Sequence, residues 1–107
     1  MKSYPLWNDE GALVGFELSN AFLSAAGTAQ FVSRVPGAVI THRRRWYSAD
    51  EVLVRFDFAG ARFVVREPYG ENSRLWVGPQ NGEPADPKTL RKLQLSFQST
   101  PRWGVQS

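Results

Sequence analysis

Residues 51–66 constrain this chain more than any other stretch. Val52, Val54, Phe56 and Phe58 alternate with Leu53, Arg55 and Asp57; beyond Ala59-Gly60, Ala61, Phe63 and Val65 alternate with Arg62, Val64 and Arg66. A period of two on both sides of a two-residue break is the pattern of a half-buried antiparallel hairpin. With Ala59-Gly60 as the loop, Phe58 faces Ala61, Phe56 faces Phe63 and Val54 faces Val65 on the dry side. Asp57 then stands opposite Arg62 on the wet side, where opposite charges favour the pairing. Gly60 supplies the positive φ of a tight turn, while Ala59 is a poorer first residue than Asn or Asp.

The rest of the chain reads as elements arranged around this hairpin. Residues 1–10 form an irregular lead-in, with Leu6 and Trp7 available to pack. Val14, Phe16 and Leu18 alternate with Gly15 and Glu17, which predicts a strand over residues 12–18. Ser19 and Asn20 are N-cap candidates for a helix running to about Arg34. Phe22, Ala25, Ala26, Ala29, Val32 and Ser33 share one face of it, and Gly27 weakens it by on the order of 1 kcal/mol relative to Ala. Pro36-Gly37 marks the stop, although a hairpin of residues 31–35 and 38–42 turning there is a competing reading. Residues 38–46 begin with β-branched side chains and end basic, as one strand. Residues 67–73 are rich in turn formers, and Pro68 ends the preceding strand because it has no ladder donor. A short strand over 74–77 is closed by Gly78-Pro79, and a polar loop follows. Asp86-Pro87 is a good N-cap and first-turn pair for a helix over about 87–98. Leu90, Leu93 and Phe97 keep helical spacing there, though Leu93, Leu95 and Phe97 also alternate like a strand. The expected fold is one α+β domain over residues 1–107 with short loose ends. It has an antiparallel sheet of four or five strands centred on the hairpin, with one or two helices on its apolar face.

Composition limits the chemistry. At 107 residues, 42% hydrophobic and 21% charged, the chain has enough material for a core without metal or disulfide staples. It has no cysteine, which removes disulfides, thiolate nucleophiles and cysteine-based zinc sites. No apolar run follows the first residues as in a signal peptide, and none approaches the ~20 residues of a membrane helix. A cytoplasmic protein without membrane contact is the expectation. The net charge of +3 is unevenly placed: residues 34–67 hold Arg34, Arg43, Arg44, Arg45, Arg55, Arg62 and Arg66 against Asp50, Glu51, Asp57 and Glu67. Such an excess attracts an anionic partner but falls well short of a strongly basic nucleic-acid domain.

Three clusters are candidates for binding. The first is His42 to Tyr47, where Arg43, Arg44 and Arg45 offer bidentate phosphate contacts and Trp46 a stacking surface. Strand alternation splits these arginines between two faces, and an edge strand guarded by charge, with Trp46 tucked into the core, is the plainer account. The second is Arg55, Arg62 and Arg66 on the wet face of the hairpin; no aromatic RNA-binding signature accompanies them. The third is the connection carrying Tyr69, Glu71, Asn72, Ser73 and Arg74, with Trp76 just beyond. Its plainer account is a loop held by Asn and Ser side-chain-to-backbone bonds.

Enzyme chemistry has little to draw on. His42 is the only histidine, so a multi-histidine metal site is excluded, and no nucleophile elbow, P-loop or dinucleotide fingerprint occurs. An acid–base pair such as Glu67 with Glu71 would have to form in three dimensions. No cofactor is expected. The sequence therefore points to a small non-catalytic binding or accessory protein of bacterial type that recognises a protein partner, with homo-oligomerisation open. The contact candidates are Arg43, Arg44, Arg45, Trp46, Arg55, Arg62, Tyr69, Glu71, Asn72 and Arg74. Nucleic-acid binding through Arg43–Arg45 and the hairpin arginines is the alternative, and a small enzyme using His42 or paired carboxylates is the remaining class.

Overall fold

A computed structural model describes residues 3–19, 25–43, 52–67, 74–80 and 86–100. At its centre is the hairpin of β4 (Val52–Phe58) and β5 (Ala61–Arg66). Phe58 pairs with Ala61, Asp57 with Arg62, Phe56 with Phe63 and Val54 with Val65, the register expected from the alternation. Ala59 (φ 51°) and Gly60 (φ 80°) both adopt positive φ, the signature of the primed turn that matches strand twist. A bulge between Val52 and Val54 breaks the alternation at the open end. Val52 there pairs with Arg66, and Leu53 joins the core in its place.

The described residues form a six-stranded antiparallel sheet in the order β1-β2-β6-β5-β4-β3, so the expected four or five strands were too few. The additional strand is β1 (Ser3–Trp7), which pairs with β2 (Leu13–Ser19) where an irregular lead-in was expected. Pro5 obscures it in the sequence but is tolerated because β1 is an edge strand. Asn8 makes the turn between them: its side-chain oxygen accepts from the backbone N–H of Glu10 and of Ala12, both at 2.9 Å. β6 (Arg74–Pro79) continues through Gly78-Pro79 rather than stopping before them, with Gly78 opposite Val64 and Pro79 opposite Phe63. β3 (Ala38–Arg43) is the other edge, and residues 44–46 of the expected strand lie outside the described residues.

Two helices cover one face of the sheet. α1 (Ala25–Arg34) packs on β3 and β4; α2 (Pro87–Ser99) packs on β2 and β1. The helical reading of 25–34 therefore displaces the rival hairpin, while residues 20–24 lie outside the described residues. The buried stripe of α1 runs through Thr28, Phe31, Val32 and on to Val35, with Ala29 beside it. Ser33, expected on that face, is exposed, because the i, i+3, i+4, i+7 set that reaches the sheet begins at Thr28. In α2, Leu90, Leu93, Gln94 and Phe97 are buried and Leu95 is exposed, which settles the helix–strand ambiguity. Asp86 caps it, accepting from Lys88 N–H at 3.0 Å, with Pro87 in the first turn. Phe97 meets Phe16 edge-on at 5.4 Å, Phe31 at 5.5 Å and Phe56 at 6.1 Å, so one ring joins both helices to the sheet. No helix among the described residues is long and apolar enough to cross a membrane.

Candidate functional site

Strand alternation fixes what lies on the face away from the helices. Val54, Phe56 and Phe58 enter the core, so Arg55 and Asp57 point to the outer face; Arg62, Val64 and Arg66 of β5 join them. A bulge between Ile40 and His42 turns β3 so that His42 pairs with Arg55, on the same face. Thr41, His42, Arg55, Asp57, Arg62 and Gln80 line a shallow polar cleft of about 300 Å³ there. Two guanidiniums, a carboxylate, an imidazole, a hydroxyl and an amide thus converge over three adjacent strands and the end of a fourth. His42 and Arg62 are exposed, whereas Arg55 and Asp57 are half-buried.

Arg66 is placed differently. It is the cross-strand partner of Trp76, and its guanidinium carbon lies 5.4 Å from the indole centroid. Its Nε is buried and has no hydrogen-bond partner, so the stacking on the indole stands in for a polar contact at that atom. The indole in turn rests against two glycines. A Cβ added at Gly78 would overlap the six-membered ring, 2.5 Å from Cζ2; one at Gly15 would lie 3.3 Å from the ring and 2.9 Å from the Val77 carbonyl oxygen. Gly78 is thus a glycine because the ring takes the place of its side chain, and Gly15 because the Val77 carbonyl and the ring together leave no room for one.

Of the sequence candidates, the structure brings Arg55 and Arg62 into one cleft. Arg43 goes elsewhere: it pairs with Val54, a core residue, and so sits on the helix side of the edge strand, exposed. Arg44, Arg45, Trp46, Tyr69, Glu71 and Asn72 lie outside the described residues, and Arg74 contributes the first residue of β6 with only its backbone described. Asp57 joins Arg55 and Arg62 on the wet face, as the strand alternation predicts. His42 and Gln80 join the cleft without such a signal; the bulge that aligns His42 with Arg55 leaves no mark in the residue pattern.

Sequence reading also passed over a second concavity. The β1–β2 turn and the start of α2 enclose a mostly apolar groove of about 480 Å³, lined by Trp7, Gly11, Ala12, Leu13, Pro87, Lys88 and Arg91. Trp7 is 57% exposed. A signal was present: Lys88, Arg91 and Lys92 repeat at i, i+3 and i+4, a basic stripe along α2. Compared with family models, curated proteins and solved structures, the chain matches none of them.

Proposed function

We propose that this chain is a small, cytoplasmic, non-catalytic binding or accessory protein that recognises a protein partner through the outer face of its sheet. The observation that supports this most directly is the mixed-sign cleft, in which Asp57 lies among Arg55, Arg62 and His42. A protein surface presents donors and acceptors of both signs and can match such a set, with arginine among the residue types that dominate interface energy. A nucleic-acid backbone presents phosphates throughout and would meet Asp57 as a repulsive element. Trp76, on this face, is also ill placed to stack on a base: its indole has glycine backbone against it and the Arg66 guanidinium over its ring.

The test compares the full chain with its Arg55→Glu/Arg62→Glu variant in affinity capture with quantitative mass spectrometry, followed by calorimetry with the purified partner. The expected result is a partner that binds the wild type directly and the variant weaker by about 2 kcal/mol or more, the scale of an interface hot spot. Equal capture by both proteins counts against the outer face. Labelled single- and double-stranded oligonucleotides form the second arm. Binding there that weakens steeply with salt and is lost in the same variant would overturn the proposal in favour of nucleic acid.

A further inference from the structure

We propose that the groove between the β1–β2 turn and the first turns of α2 docks an acidic segment of a protein partner, which inserts a large apolar side chain beside Trp7. Trp7 is the last residue of an edge strand and is 57% exposed, although a tryptophan gains more from burial than almost any other residue. The cavity beside it, about 480 Å³, lies within the range of sites that enclose a small ligand or an anchoring side chain. Its floor is apolar, from Ala12, Leu13 and Pro87.

The groove is pre-built, which lowers the ordering cost of binding. On one side Asn8 ties the turn through its side chain and through backbone bonds to Gly11 and Ala12. On the other, Asp86 caps α2. Arg91 is anchored by its neighbour: Nη1 donates to Gln94 Oε1 at 3.0 Å, and the buried Gln94 donates to Ser3 Oγ at 2.9 Å. The network holds a guanidinium at the rim without neutralising it.

Charge selects the occupant. Among the described residues, every charged side chain lining the groove is a cation, Lys88 or Arg91, and Lys92 extends the stripe; Asp9 and Glu10, at the tip of the turn, do not line it. A partner segment with carboxylates flanking its apolar anchor matches that rim. A second copy of this chain matches it poorly, since each copy carries a net charge of +3. This site stands apart from the outer-face cleft and uses none of its residues.

The probe is a short fluorescein-labelled peptide with a central Leu-Phe pair flanked by glutamates, compared by anisotropy with its lysine-flanked counterpart. The acidic peptide should bind at least about tenfold more tightly than the basic one. Trp7→Ala, and separately Lys88→Glu/Arg91→Glu, should each weaken it by about tenfold or more, with unchanged far-UV circular dichroism. Arg55→Glu/Arg62→Glu should leave it unaltered, which separates this site from the outer-face proposal. Three results would overturn the inference: equal binding of both peptides, binding indifferent to Trp7→Ala, or self-association in sedimentation that Trp7→Ala abolishes. The last would assign the groove to a second copy.

Discussion

At the scale of single residues, Trp76 explains more of the outer face than any charged group does. Its ring occupies space that side chains at positions 15 and 78 would need, and Arg66 covers it. A methyl group at Gly78 must displace the indole, and with it the guanidinium whose buried Nε depends on that stacking for its place. Gly78→Ala should therefore cost about 1–3 kcal/mol, the range for overpacking, and should change the tryptophan emission of the folded state. Urea denaturation followed by fluorescence measures both. A neutral substitution would show that the ring can move freely, and that Gly78 is there for another reason.

At the scale of elements, the hairpin turn carries a local cost that the sequence made visible. Ala59 holds φ 51° without the side-chain hydrogen bonding that eases Asn or Asp into this region, and its side chain is exposed. Ala59→Asn should raise stability by about 0.5–1 kcal/mol, and Ala59→Val should lower it, since a β-branched residue tolerates positive φ poorly. Thermal denaturation of the two variants should move Tm in opposite directions; a fall with Asn would refute the turn assignment. This hairpin was legible because side-chain alternation and turn chemistry are both local and agree. α2 was legible for the same reason, through Asp86-Pro87 and the Leu90, Leu93, Phe97 spacing, with exposed Leu95 deciding against a strand. β1 was not, because Pro5 masks a strand whose position at the sheet edge is a tertiary fact. The polar cleft was legible in part: Arg55, Asp57 and Arg62 share the wet face that the alternation predicts, whereas His42 joins them through a bulge in β3, and a bulge adds one residue without altering composition.

At the scale of the molecule, the core is one continuous cluster, and Phe97 shows what that implies. The cluster takes in β2, β4, β5, β6, both helices and Val35 between α1 and β3. Phe97 is fully buried and contacts Phe16 on β2, Phe31 on α1 and Phe56 on β4. Removing its ring empties the place where the two helices meet over the sheet, so the loss reaches every layer at once. Phe97→Ala should cost about 3–5 kcal/mol, a large part of the 5–15 kcal/mol typical of a domain. Leu95→Ala, two residues away on the same helix but 47% exposed, should stay within about 0.5 kcal/mol. If the core is a single cooperative unit, Phe97→Ala shifts the urea midpoint equally by tryptophan fluorescence and by far-UV circular dichroism, at unchanged slope. Two separated transitions would mean that the α1–β3–β4 side and the α2–β1–β2 side unfold independently. The outer-face cleft and the Trp7 groove would then sit on separately stable halves, and a partner held at one would leave the other free to open.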